Sequence, residues 1–172
     1  MEPPKRKTIR LKTQDYDAPG KYFITICVKN KEKLLGQISV GTGVLDGPKN
    51  QLSLYGKIAD RQLQRMAAFY EDIQLEKYVI MPNHIHLLLD IPDLEDGPSG
   101  RPVPTQLPVH QNSKVSRFVG TFKRFCNRWY GCNIWQARSY DHVIRGEKDY
   151  LKIWDYIENN PAKWTEDRLY TE

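Results

Sequence analysis

The sequence has no run of eighteen apolar residues, so no segment qualifies as a membrane-spanning helix. It has three cysteines, Cys27, Cys126 and Cys132, with no Cys-x-x-Cys spacing. An odd, unclustered set argues against a disulfide framework and against a structural zinc site, and gives a reduced, cytoplasmic location as the default expectation. The opening "MEPPKRKTIRLK" is basic but has no apolar core, so it does not read as a secretory signal. Internal repeats are also lacking. What is present is a globular composition: 172 residues, 40% hydrophobic and 27% charged, with a formal net charge of +5. This fits one domain over 1–172, with a mild bias toward a polyanionic partner.

Residues 1–20 read as a basic arm closing on the turn "DAPG". "KYFITICVK" (21–29), "IQLEKYVI" (73–80), "HIHLLLDI" (84–91) and "NIWQARSYDHVI" (133–144) read as strands. Residues 34–51, cut by Gly and Asp-Gly, read as a hairpin excursion. Three amphipathic helices are expected. The first, 52–70, carries Leu54, Ile58, Leu63, Met66 and Phe69. The second, 113–130, carries Val115, Phe118, Phe122, Phe125 and Trp129. The third, 147–160, carries Tyr150, Leu151, Ile153, Trp154 and Ile157 and stops at Pro161. The segment 92–108 holds five prolines and two glycines and reads as a flexible loop, a lid or simply disordered. The order of elements predicts an α+β fold: an antiparallel, ferredoxin-like sheet covered by helices on one face.

Three groups of residues carry chemistry. On a strand, His84 and His86 project to one face while Ile85, Leu87 and Leu89 project to the other. Two imidazoles on one face can share a transition-metal cation and leave positions open for substrate oxygens. A bare His-x-His pair equally describes two hydrogen-bonded strand histidines. Asp90 shares that face, further along. In the third helix Tyr156 lies about 130° from the centre of the apolar stripe, with Asn160 one turn later on the same side. A surface tyrosine would look the same, yet a phenol is a competent nucleophile where its phenolate is stabilised. The second helix presents Lys114, Arg117, Lys123, Arg124 and Arg128 away from its stripe. With Lys5, Arg6, Lys7, Arg10 and Lys12 in the arm, this is either a solvated face or a phosphate-binding one.

Taken together, "MPNHIHLLL" (81–89) is similar to the histidine–hydrophobic–histidine motif of the HUH single-tyrosine transposases. "WQARSYDHVIRGEKDYLKIWDYIENNPAKW" (135–164) resembles the C-terminal signature of the REP-associated tyrosine transposases, where REP stands for repetitive extragenic palindrome. "RLKTQDYDAPGKYFITICVKNKEKLLGQI" (10–38) resembles the opening of that group. The resemblance implies a ferredoxin-like or RNA-recognition-motif-like domain that cuts and joins single-stranded DNA beside a hairpin. It implies His84, His86 and Asn160 as metal ligands and Tyr156 as nucleophile, with a 5′-phosphotyrosine intermediate and a free 3′-hydroxyl that can rejoin strands. It implies Mg²⁺ or Mn²⁺ as cofactor; imidazole ligands suit Mn²⁺ better. Arg145, in "YDHVIR", is added to the expected DNA contacts. The active unit is expected to be a monomer or a homodimer. Two other readings fit the same residues: a palindrome- or hairpin-binding module without catalysis, in which Tyr156 is dispensable, and a ferredoxin-like RNA binder with aromatics on the central strands.

Overall fold

The computed structural model describes residues 18–39, 48–93 and 113–171. Strand β1 (Gly20–Cys27) leads through a 3-10 turn (Lys29–Lys31) into a small hairpin, β2 (Gly36–Ser39) and β3 (Lys49–Leu52). Helix α1 (Leu54–Phe69), strands β4 (Gln74–Ile80) and β5 (His84–Ile91), helix α2 (Lys114–Tyr130), strand β6 (Tyr140–Val143) and helix α3 (Glu147–Asn159) follow. The main sheet is antiparallel in the order β4-β5-β1-β6, and the hairpin stands apart as a two-stranded sheet. This is the expected α+β architecture. The basic arm with Arg10, and the loop 92–108 beyond residue 93, lie outside the described residues.

Alternation along the two central strands separates the faces of the sheet. Tyr22, Ile24 and Ile26 of β1 and Ile85, Leu87, Leu89 and Ile91 of β5 point to one side, where α1 and α2 close an apolar core. Phe23 and Leu88 point to the other, where α3 lies over them with Ile153 and Ile157. Two helices thus cover one face, and the third crosses the opposite one.

Local signals set the helix ends. Ser53 and Ser113 cap α1 and α2, accepting hydrogen bonds from the N–H groups of Gly56 and Ser116 at 3.2 Å. Gly131 ends α2 in the left-handed region at φ 70°. Gly56 is required at the start of α1, because a Cβ there would lie 2.0 Å from the Leu35 carbonyl oxygen.

Several expected stripes are corrected. In α1 the buried line is Gly56, Ala59, Gln62, Leu63 and Met66, while Leu54 and Phe69, at the two ends, face solvent. In α2 it is Val115, Phe118, Val119, Phe122 and Cys126. Phe125 and Trp129 instead look sideways toward α1 and, with Phe69 and Tyr70, line an open groove. In α3 only Ile153 and Ile157 are buried. Leu151 is exposed, and Trp154 lies at the rim beneath the Lys77 ammonium, 4.0 Å from its ring centroid. The expected strand 133–144 shrinks to β6, because between Gln136, whose N–H still bonds the Cys27 carbonyl beside the Val28–Trp135 bridge, and Tyr140 the stretch 137–139 leaves the ladder.

Candidate metal and nucleophile site

The α3 face also holds residues that are polar yet buried. His84 and His86 are 0% and 2% exposed. Burial in an apolar setting disfavours their charged forms, lowering His84 to about 4 and His86 well below the ordinary histidine value. Each ring is held through Nδ1. His84 Nδ1 is 2.7 Å from Asn83 Oδ1, and the Asn83 amide nitrogen donates to the carbonyl of Leu169 at 2.9 Å. That fixes Oδ1 as an acceptor, so the proton of neutral His84 sits on Nδ1 and Nε2 carries the lone pair. His86 Nδ1 is 3.0 Å from Thr25 Oγ1, a hydroxyl that can serve either tautomer. The two Nε2 atoms are 2.9 Å apart.

The other half of the site comes from α3 and the turn that follows it. Tyr156 packs edge-on against Phe23 and His86 and places its hydroxyl 3.2 Å from His86 Nε2. The same hydroxyl donates to Asp167 Oδ2 at 2.7 Å. Asn160, 2% exposed, donates from its amide nitrogen to Asp167 Oδ2 at 2.9 Å; its Oδ1 is buried with no hydrogen-bond partner among the described residues. The N–H of Leu169 donates to Asp167 Oδ1 at 2.6 Å. Burial pushes the Asp167 carboxyl up, but the hydrogen bonds from Tyr156, Asn160 and Leu169 outweigh it and hold the group below the ordinary range. Burial, then the adjacent carboxylate, raises the Tyr156 phenol above its ordinary value. Ligand atoms of His84, His86 and Asp167 all lie within 4.8 Å of one another.

This donor set fits a divalent cation. Two neutral imidazoles, with Nε2 atoms about as far apart as two ligands at right angles with bonds of about 2.1 Å, are joined by an anionic carboxylate. Behind the imidazoles, Asn83 and Thr25 supply the Nδ1 partners that orient metal-binding histidines.

His84, His86, Tyr156 and Asn160, predicted from four scattered positions, therefore meet in one place. Asp167 is absent from the residues the sequence points to. It lies past the helix in a polar stretch with no periodicity, and Asp90 offers a carboxylate closer in sequence. Asp90 instead pairs with Lys21 at 2.9 Å, and Lys21 also meets Glu76. The predicted cations do not join the site. Arg117, Arg124 and Arg128 are on α2, across the sheet from the histidines, with Arg117 3.9 Å from Asp72 and Arg124 3.3 Å from Thr121 Oγ1. Lys114 begins that helix. Lys123 reaches the carbonyl of Gln136 at 2.8 Å, toward β1 and β6, and its charge acts on Cys27 together with those of Lys31 and Arg168. Arg145 precedes α3, its backbone N–H on Asp149 at 3.0 Å.

No protein-family model matches the chain. It is 36% identical over 176 aligned positions to an uncharacterized protein of Haemophilus influenzae, covering 97% of this chain and 94% of that one. A putative REP-associated tyrosine transposase of the same organism is 25% identical over 87% of this chain and 74% of its own length. A REP-associated tyrosine transposase of Escherichia coli is 31% identical over 52% of this chain and 45% of its own. The fold superposes with a TM-score of 0.61, at 20% identity, on a REP-associated tyrosine transposase solved bound to a REP hairpin, covering 90% of this chain and 74% of that one. The chain thus resembles the REP-associated tyrosine transposases in sequence and shares their fold. In this chain, β5 and α3 bring the paired histidines and the tyrosine together on the sheet face away from α1 and α2. No described helix is long and apolar enough to cross a membrane.

Proposed function

We propose that the protein is a metal-dependent endonuclease and strand transferase for single-stranded DNA beside a hairpin, with Tyr156 as nucleophile. The observation that carries this reading is the contact of the Tyr156 hydroxyl with both His86 and Asp167, across 70 residues of sequence in the first case. His84, His86 and Asp167 would hold Mg²⁺ or Mn²⁺, with the unpartnered Asn160 Oδ1 as a further donor. The cation would polarise the scissile phosphate and offset the charge that develops on it.

The chain's own residues supply the rest. Phe23 and His86 hold the Tyr156 ring, so the hydroxyl oxygen is pre-placed for in-line attack. Asp167 is positioned to accept the phenolic proton as the oxygen bonds to phosphorus. The product is a 5′-phosphotyrosine and a free 3′-hydroxyl on the leaving strand. Because the phosphodiester energy is kept in the tyrosine ester, attack by a 3′-hydroxyl reverses the step and joins strands without ATP. Histidines, tyrosine and carboxylate all come from one chain, which supports action by a monomer. The hairpin bound by the structural relative supports a hairpin partner here.

The test is incubation with hairpin DNA carrying single-stranded flanks, with and without Mn²⁺, followed by denaturing electrophoresis. A covalent protein–DNA adduct that needs the metal and is absent in Tyr156→Phe is expected. Binding of the hairpin with no adduct under any condition would leave a DNA-binding module and remove the nuclease.

A further inference from the structure

Outside the metal and nucleophile cluster, an exposed aromatic residue stands on a strand of the same sheet face. Thr25 pairs directly with His86 on one side and with Tyr140 on the other. Directly paired side chains in an antiparallel sheet point the same way. Thr25 bonds His86 through its side chain, so Tyr140 stands on the histidine face, two strands away, at about 10 Å by ordinary strand spacing. Its ring is 41% exposed on edge strand β6. The Arg168 guanidinium lies over that ring, 5.3 Å from the centroid. Arg168 directly follows Asp167, which receives the Tyr156 hydroxyl. Successive residues therefore touch the nucleophile and the exposed ring. The other exposed aromatics of the described residues outside the cluster are on helices: Phe69, Phe125 and Trp129 on α1 and α2, across the sheet, and Trp154 on α3, where the Lys77 ammonium covers its ring.

We propose that Tyr140 and Arg168 form a stacking subsite for an unpaired base flanking the scissile phosphate. The inference rests on the reading of Tyr156 as a nucleophile for single-stranded DNA. An exposed phenol ring offers a flat apolar surface to any base, and base–aromatic stacking is tolerant of sequence. A guanidinium over an exposed ring is held weakly, so an incoming base displaces it, and the freed cation lies beside the backbone phosphate of the same nucleotide. The strand would thus run from the histidine pair toward β6, its path fixed by a base rather than by duplex contacts. Tyr140 acts as a positioning residue: it holds the flank so that the phosphate stays at Tyr156.

The probe is a fluorescent DNA hairpin with thymidine tails on both sides, compared with the same hairpin without tails, by anisotropy in the Tyr156→Phe background so that binding alone is read. Tyr140→Ala is expected to weaken the tailed hairpin by roughly five- to a hundredfold, the range for one lost base–aromatic stack. The untailed hairpin should bind as before, and Tyr140→Phe should retain the affinity. A single abasic position moved along the tails should weaken the background protein at one place by the same factor, and add nothing in Tyr140→Ala. No loss in Tyr140→Ala, an equal loss on the untailed hairpin, or additive penalties would overturn the subsite. If the adduct with Tyr156 still forms in those cases, only the subsite fails. If the background protein does not bind the tailed hairpin at all, both readings fail.

Discussion

The two faces of the β4-β5-β1-β6 sheet are built from the same strands and do opposite work. On the α1 and α2 side, β5 contributes Ile85, Leu87, Leu89 and Ile91 to an apolar core. On the α3 side the intervening residues are His84, His86 and Leu88, and the apolar contact shrinks to Phe23, Leu88, Ile153 and Ile157. The first face is held by area removed from water, which needs no particular partner. The second holds buried polar groups, each of which needs its own hydrogen bond or its burial becomes a cost. Asn83, Thr25 and Asp167 provide those bonds for the histidines and Tyr156, and the Asn160 Oδ1 alone of that cluster is left without one among the described residues. One face can therefore be optimised for stability while the other is kept for chemistry.

The sharpest way to separate the faces is a pair of substitutions. Tyr156→Phe should abolish the covalent adduct while costing about 1.5–3 kcal/mol, the worth of a hydrogen bond to a carboxylate. Phe118→Ala, across the sheet, should cost about 3–5 kcal/mol in a denaturant titration and leave adduct formation intact where the protein stays folded. If Tyr156→Phe were the more destabilising of the two, the α3 face would be structural.

Metal binding should register on one face only. Mn²⁺ at a hundred times its dissociation constant should stabilise the wild type by about 2.7 kcal/mol, read as a rise in thermal midpoint. His84→Ala, His86→Ala and Asp167→Asn should each lose most of that rise, and Phe118→Ala should keep it. Equal responses in all four would place the cation elsewhere.

Acid should weaken the same face. In the unfolded chain a histidine takes up its proton near pH 6.5, whereas burial holds His84 down to about 4 and His86 well below the ordinary value. Between those limits the unfolded chain binds more protons than the folded one, so stability falls as pH falls. The contribution is full above about pH 6.5 and is lost progressively toward pH 4, at up to about 1.4 kcal/mol per pH unit for each histidine. Thermal midpoints from pH 7 to 4.5 should show the slope, and His84→Asn should reduce it.

The smallest effect is expected from α2. Neutralising Lys123 and Arg124 together should reduce the slope of log affinity against log salt by up to about two for a hairpin probe. An unchanged slope and affinity would return that helix face to solvated surface.

Much of this arrangement is legible in the sequence because it depends on local period. The alternation His84-Ile85-His86-Leu87 determines which side chains share a face, and the 100° step places Tyr156 and Asn160 together off the apolar stripe. What period cannot report is how far a helix stays over the sheet. Trp129 has the right phase for the α2 core yet is exposed, since the last turn faces the groove beside α1 instead. Asp167 is illegible for a related reason: its place depends on how the chain turns after α3, and no repeat marks that turn. The cations of α2 can be read as a basic face, but which side of the sheet that face occupies is a tertiary fact.

The narrow apolar footing of α3 has a consequence for motion. Ile153 and Ile157 are the buried residues that seat this helix, against a far larger core beneath α1 and α2. Opening free energies within one domain range from near zero up to that of global unfolding, and segments with little buried apolar contact open first. The amides of α3 should therefore exchange with solvent deuterium ahead of those in β1 and β5. Each such opening would carry Tyr156 away from His86 and Asp167, so the groups of the proposed site would separate and reassemble while the sheet stays folded.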